Sequence, residues 1–209
     1  PNGAGKTSLF NLLSGTTRPS GGRITFAGSD ITSEPPHRRA RRGIGRTFQS
    51  SNVFTTMTVV EHIDLAARIG RPRAARRSPD IAAEVLHRVR LAHRASTVAG
   101  LLSHGDKRKL EIALLLATAG DGGRQHLLLL DEPMAGVSAE EVPELVEVLR
   151  EAHRGDGHSV LMVEHHMEVL MALADRVAVM HHGSLLATGT PAEVTADAGV
   201  QQAYLGEQL

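Results

Sequence analysis

The chain begins Pro1-Asn2-Gly3-Ala4-Gly5-Lys6-Thr7, all but the leading glycine of the pattern GxxxxGK[ST]. That pattern constrains a fold tightly. Its backbone N–H groups cradle phosphates, its lysine reaches the terminal ones, and its Ser/Thr hydroxyl serves a magnesium ion. A loop of this kind joins a buried strand to a helix whose N-terminus meets the anion. Lys6 to Ser14 reads as that helix, with Ser8 in its first turn. The strand expected before the loop is absent from the sequence, so the chain is expected to be a fragment that opens inside the motif.

With 209 residues, 41% hydrophobic and 22% charged, the sequence has room for one ordinary domain plus a small insertion and the balance of a soluble globular protein. No apolar run approaches the roughly 18 residues of a membrane span, so any membrane role is peripheral. Cysteine is absent, which excludes disulfides and thiol chemistry. The formal net charge of +0 gives no global electrostatic case for nucleic acid, and no nucleic-acid partner is expected. Arginine clusters locally in His37-Arg38-Arg39-Ala40-Arg41-Arg42 and in Arg71, Arg73, Arg76 and Arg77. These read as solvated faces, with an anionic partner as the alternative.

After the first helix, Gly21-Gly22 turns into a short strand, Arg23 to Phe26, and Ile44 to Phe48 is a second strand candidate. From Val59 to about Leu91 apolar positions recur at helical spacing, interrupted between Gly70 and Pro79, which reads as a helical insertion. A further helix is expected over Lys109 to Ala119. Strand and helix then alternate through Leu127 to Leu130, Ser138 to His153, Ser159 to Val163, His165 to Ala174 and Arg176 to Met180. Such alternation implies an α/β fold with a parallel sheet. His181-His182-Gly183-Ser184 reads as a hairpin turn before Leu185 to Thr188.

The four leucines before Asp131 form the continuous apolar run of a strand buried on both faces. Ligands of open α/β sheets bind beyond the carboxyl ends of the strands, so Asp131 and Glu132 are expected to face phosphates held by Lys6 and Thr7. Asp131 would share a magnesium ion with the Thr7 hydroxyl, since magnesium takes oxygen ligands and keeps several waters. Glu132 would then orient and deprotonate an attacking water. The plainer alternative is that Asp-Glu-Pro is a polar turn ending a strand. Between these motifs, Leu102-Ser103-His104-Gly105-Asp106 precedes the Lys109 helix. Ser103 and Asp106 fit the capping pattern [ST]xx[DE]. The same helix start, with free amides and a glycine, is also an anion site.

In this order and spacing the motifs resemble the nucleotide-binding subunits of ABC transporters, and the likeness covers essentially the whole chain. The resemblance implies a P-loop NTPase core, a parallel sheet carrying a helical subdomain over about 59–120 with the signature motif. The whole of 1–209 would form one nucleotide-binding domain whose N-terminal β-subdomain is largely missing. ATP would lie on Asn2, Gly3, Ala4, Gly5, Lys6, Thr7 and Ser8. The signature LSGGQ corresponds to Leu102-Ser103-His104-Gly105-Asp106, and Ser103, His104 and Gly105 would contact the ATP of an opposing subunit. Gln49 matches the glutamine that touches metal and water and passes the nucleotide state to the membrane subunit. His165 matches the switch histidine, which would hydrogen-bond the γ-phosphate and position water against Glu132. ATP and Mg²⁺ are the cofactors implied. The partners implied are a second, identical or paralogous, ATP-binding subunit, transmembrane permease subunits and, indirectly, an extracytoplasmic solute-binding protein. The implied place is the cytoplasmic face of the membrane.

Within the family, Gly43 to Gln49, Met57-Thr58-Val59 with Glu61, Leu110 to Ala113, Asp131 to Gly136, Val163-Glu164-His165 and the tail, Gly189-Thr190-Pro191 and Ala203-Tyr204-Leu205-Gly206, resemble ATPases of branched-chain amino acid importers. Leu102 to Gly105 with His158-Ser159-Val160 leans towards urea importers. Asp106 stands where the signature usually has Gln, Ser138 where Asp or Asn is usual, and His166 where Asp commonly follows the switch histidine. Gly120 to Gln125 lengthens the approach to the Asp131 strand. The adenine-stacking aromatic lies upstream in the family. Three rival readings are a non-transport ABC ATPase, another P-loop enzyme such as a small kinase, and a non-catalytic regulatory cassette, the last suggested by Asp106 and Ser138.

Overall fold

The computed structural model describes residues 3–47, 53–70, 79–118, 127–155 and 157–205. Asn2 and Gln49 lie outside the described residues, as do Arg71, Arg73, Arg76, Arg77, the segment 120–125 and Gly206. In chain order the elements used below are α1 (Lys6–Ser14), β1 (Thr25–Phe26), β2 (Ser29–Asp30), α2 (Pro36–Arg42), β3 (Ile44–Arg46), α3 (Val59–Gly70), α4 (Pro79–Arg88), α5 (His104–Thr118), β4 (Leu127–Asp131), α6 (Val142–Arg150), β5 (Ser159–Val163), α7 (Met167–Leu173), β6 (Val177–His181), β7 (Ser184–Gly189), α8 (Pro191–Ala196) and α9 (Ala198–Leu205). The chain divides into two units, residues 34–163 and residues 1–33 with 164–209.

The larger unit is built on a three-stranded parallel sheet in the order β3-β4-β5. Register pairs Arg46 with Leu129 and Asp131 with Val163, so the polar ends of β3 and β4 lie at the same edge. Leu128, Leu129 and Leu130 are buried, as their apolar run requires of a central strand. The helices α3, α4 and α5 pack on one another, and α5 also packs against α6. Val59 and Ile63 of α3, Val85 and Leu86 of α4, and Leu110, Ile112 and Ala113 of α5 supply buried apolar contacts.

Helix α5 starts at His104, directly after the Ser103 cap and five residues before the apolar-periodic stretch expected from Lys109, and the polar residues that open it are paired. Arg108 bonds Glu111 at 2.8 Å, and Lys109 bonds Asp106 and Glu144, each at 2.8 Å. Helix α6 begins at Val142 rather than Ser138, with Pro143 in its first turn where the missing N–H costs nothing. A short π-helical turn, Glu151–Gly155, follows it. The α2 arginines are anchored in part. Arg39 is 1% exposed and its Nε donates to the Glu34 carbonyl at 2.9 Å, while Arg42 forks onto the Glu34 carboxylate at 2.6 and 2.7 Å.

In the other unit, β1 and β2 form a small hairpin, shorter than the strand expected from Arg23. Strands β6 and β7 form a second antiparallel hairpin. Its turn has φ of 46° at His182 and 78° at Gly183, the doubly left-handed geometry that matches strand twist. Val177, Val179 and Ala187 of this hairpin pack with Val194 of α8 and Val200 of α9. Helix α8 carries a complete capping box, with Thr190 and Glu193 satisfying each other's backbone N–H groups. No helix among the described residues is long and apolar enough to cross a membrane.

Candidate functional site

The phosphate loop enters α1 through two left-handed glycines, Gly3 at φ 74° and Gly5 at φ 95°. A side chain at Gly5 would be strained by that φ and would lie 3.5 Å from Gly183 Cα and 3.6 Å from Met180 Cε. The β6–β7 turn backs the loop directly, since Gly183 N–H donates to the Ala4 carbonyl at 3.1 Å. Among the described residues no side chain caps α1 at Gly5, which leaves the donors of its first turn for a ligand. Lys6 is half-buried, and Thr7 and Ser8 are exposed. In the same unit, Glu164 is buried and its carboxylate accepts the backbone N–H groups of His165 at 2.6 Å and His166 at 3.2 Å. That turn fixes the point at which the exposed His165 side chain leaves the chain.

In the unit of residues 34–163, Asp131 ends β4 and is 1% exposed. Its Oδ2 meets Arg46 Nη2 at 3.4 Å, and its N–H donates to the Thr47 hydroxyl at 3.3 Å. Asp131 Oδ1 is buried with no hydrogen-bond partner among the described residues. A buried carboxylate oxygen left this way fits a site for a cation or for a water the cation carries. No cluster of three or more His, Cys, Asp or Glu able to hold a metal occurs among the described residues. Magnesium at nucleotide sites uses one or two protein oxygens plus phosphates and waters, and the buried Asp131 Oδ1 is an oxygen of that kind. Glu132 follows with φ of 50°, a left-handed conformation for a non-glycine residue, held by its N–H to the Val163 carbonyl at 2.9 Å. Backbone held this way costs about 1–3 kcal/mol and is found at working positions more than elsewhere.

The third group lies at the start of α5. Ser103 accepts the Asp106 N–H at 3.1 Å, the cap expected from its place. The Asp106 carboxylate turns to Lys109 Nζ at 2.8 Å and faces Arg94 at 3.7 Å. Burial would push the Lys109 ammonium down, but the hydrogen bonds and charges of Asp106 and Glu144 outweigh it and hold its pKa above the usual value. His104 lies over Gly136, where an added Cβ would sit 3.3 Å from its ring. Glu141 joins this group from the segment after Gly136. Its Oε1 accepts the Ser103 hydroxyl at 2.6 Å and its Oε2 the Ser138 hydroxyl at 3.1 Å. Those donors, the Ser103 hydroxyl first and the Ser138 and Gly105 backbone N–H groups among them, hold the Glu141 carboxyl below the usual carboxylate range despite the opposing effect of burial.

Sequence reasoning missed Arg46, Thr47, Glu164 and Glu141. A signal existed for Arg46 and Thr47, which end a strand at the sheet edge where Asp131 ends another. For Glu141 the capping pattern Ser138-x-x-Glu141 signalled its hold on Ser138, but nothing signalled its contact with Ser103, 38 residues away.

The ABC transporter family profile matches residues 1–135, and a branched-chain amino acid ATP-binding cassette transporter profile matches residues 184–209. The chain is 38% identical to the high-affinity branched-chain amino acid transport ATP-binding protein BraF of Pseudomonas aeruginosa, over 99% of this chain and 85% of that one. It is 37% identical to LivG of Escherichia coli K12, with the same description and coverage. The lipopolysaccharide export system ATP-binding protein LptB of Haemophilus influenzae is 34% identical over 100% of this chain and 84% of its own. Among solved structures, a nucleotide-free ATP-binding cassette from an ABC transporter superposes with a TM-score of 0.82 at 26% identity, over 98% of this chain and 85% of that one. A cassette in its ADP conformation gives 0.81 at 28%, over 99% and 85%. On sequence along its whole length and on fold, the chain belongs to the ABC transporter family, as an ATP-binding cassette.

Proposed function

We propose that this chain is the ATP-binding, ATP-hydrolysing subunit of a membrane importer for branched-chain amino acids. The observation that carries the choice of solute is the match of the tail, residues 184–209, to branched-chain amino acid cassettes, together with the names of BraF and LivG. The phosphate loop leading into an uncapped α1 and the buried, half-unpartnered Asp131 support the nucleotide chemistry. In this reading residues 1–209 act as one nucleotide-binding domain, and about 59–120 form the helical subdomain that carries the signature.

Roles follow from chemistry. The amides from Gly3 to Ser8 and the Lys6 ammonium bind the phosphates of ATP, with Asn2 completing the loop. Thr7, Asp131 and Gln49 are assigned to magnesium, which when bound neutralises phosphate charge. Glu132 takes a proton from the attacking water, a contribution of roughly 10² to 10⁴ in rate. His165 holds the γ-phosphate and the water in line, and Gln49 relays the nucleotide state. Ser103, His104 and Gly105 meet the ATP of a second cassette, so neither subunit completes a site alone. Most of the acceleration in such phosphoryl transfer comes from positioning and charge neutralisation. Permease subunits would receive the motion at the cytoplasmic face of the membrane, and a solute-binding protein would select the cargo. The test is Mg²⁺-dependent ATP hydrolysis by the full-length protein with its permease subunits. Glu132→Gln is expected to lower turnover at least 10²-fold while ATP still binds. Unchanged turnover removes Glu132 from the role.

A further inference from the structure

An anion already sits at the start of α5, and it belongs to the chain itself. Glu141 Oε1 takes the Ser103 hydroxyl at 2.6 Å, and the Gly105 backbone N–H donates to the same carboxylate. An added Cβ at Gly105 would lie 2.7–2.9 Å from the three atoms of that carboxyl group, so only glycine permits the approach. The other oxygen, Oε2, is held by Ser138 through its hydroxyl at 3.1 Å and its N–H at 3.4 Å. One carboxylate therefore ties the signature segment to the segment that follows Asp131 and Glu132.

The donors that Glu141 occupies are the ones the proposed function gives to the phosphate of the opposing ATP, and the inference rests on that reading. A carboxylate and a phosphate cannot accept from the same hydroxyl and the same N–H together, and their like charges oppose each other at that distance. We propose that Glu141 is a positioning residue, an internal anion that holds the Ser103 and Gly105 donors aligned until the γ-phosphate of the opposing ATP takes them over. In the exchange the Glu141 carboxylate stays with Ser138, so arrival of nucleotide at the signature is passed to the 135–138 loop. The free helix start is thus kept satisfied, as buried donors at a helix N-terminus must be, and the assembled state begins with a displacement.

The consequence is a competition that can be measured. In the full-length protein with Glu132→Gln to block turnover, ATP is titrated and dimerisation followed by sedimentation velocity, with a thermal melt of each variant. Glu141→Gln removes the competing charge and is expected to lower the ATP concentration for half-maximal dimerisation about fivefold or more, within the usual range of coupling between sites. Glu141→Asp keeps the charge but shortens its reach from Ser138 towards Ser103, and should shift the requirement in the same direction. A role confined to capping would lower the melting temperature and leave the ATP requirement unchanged or raised, and that result overturns the proposal. Ser103→Glu, which fixes a charge at the helix start, separates the two layers. If it blocks dimerisation and Glu141→Gln and Glu141→Asp are without the expected gain, the exchange fails while the reading of the helix start stands. If Ser103→Glu dimerises like its parent, the phosphate is not received there and both fail.

Discussion

Asp106 puts a carboxylate into the signature segment, and its neighbours decide what that charge does. Asp106 is 8% exposed, and its carboxylate lies 2.8 Å from Lys109 Nζ and 3.7 Å from the half-exposed Arg94. Lys109, 3% exposed, is also held by Glu144 at 2.8 Å. The charge is therefore answered inside its own helix and not aimed at solvent. Asp106→Asn removes one charge-assisted hydrogen bond, about 1.5–3 kcal/mol, and a helix-start anion, about 0.3–1 kcal/mol. It leaves no orphaned buried charge, whose cost would be about 3–5 kcal/mol, because Lys109 keeps Glu144. A loss of about 2–4 kcal/mol corresponds to a melting temperature lower by roughly 4–16 °C in a domain of this size.

The assay is a thermal melt beside the ATPase rate per folded molecule. The folded-state pKa of Lys109 is raised, so its contribution is complete below the ordinary lysine value of about 10.4 and fades only as pH climbs through the raised one. The gap between wild type and variant should accordingly be the same at pH 7 and pH 9. Turnover per folded molecule should change less than about threefold, under 1 kcal/mol of barrier. A tenfold rise in ATPase with an unchanged melting temperature would refute the reasoning, because it would mean that the carboxylate repels the partner's phosphates.

Three further outcomes follow from other contacts. Gly5→Ala puts a side chain at φ 95° beside Gly183 and Met180, so nucleotide affinity measured by calorimetry should fall at least tenfold, with a stability loss of about 1–2 kcal/mol. Arg46→Met leaves Asp131 without the buried guanidinium 3.4 Å away, and should destabilise the apoprotein by about 3–5 kcal/mol; equal melting curves would show that the pair contributes nothing. Because Glu141 has a lowered folded-state pKa, the stability it contributes is full above the ordinary glutamate value of about 4.3 and is lost as pH falls through the lowered one. Acid unfolding curves of wild type and Glu141→Gln should converge below that window, and a constant gap down to acid pH would contradict the assignment.

What was legible in the sequence was local. The left-handed glycines before α1, the leucine run of β4 and the His182-Gly183 turn announce themselves within a few residues, since each uses a residue type that its backbone or burial demands. The start of α5 was marked by its Ser103 cap, but its pairing was hidden, because Arg108, Lys109 and Glu111 read as surface residues and yet are buried in pairs. Pairing between elements leaves no mark on hydrophobic periodicity. The same reason hid Glu141 against Ser103, whereas Arg46 and Asp131, 85 residues apart, shared the one mark of ending neighbouring strands. Ser138, which departs from the usual residue, gains its meaning only beside Glu141, whose carboxylate it holds.

The central claim is that ATP hydrolysis at Glu132 drives import of a branched-chain amino acid, and uptake of labelled leucine measures it most directly. Proteoliposomes carrying the full-length protein with its permease subunits, and supplied with the solute-binding protein, should take up leucine only with ATP and Mg²⁺ present on the cassette side. Uptake should fall to background with Glu132→Gln. Uptake that persists at the wild-type rate with Glu132→Gln, or hydrolysis that proceeds with no leucine entering, would contradict the account.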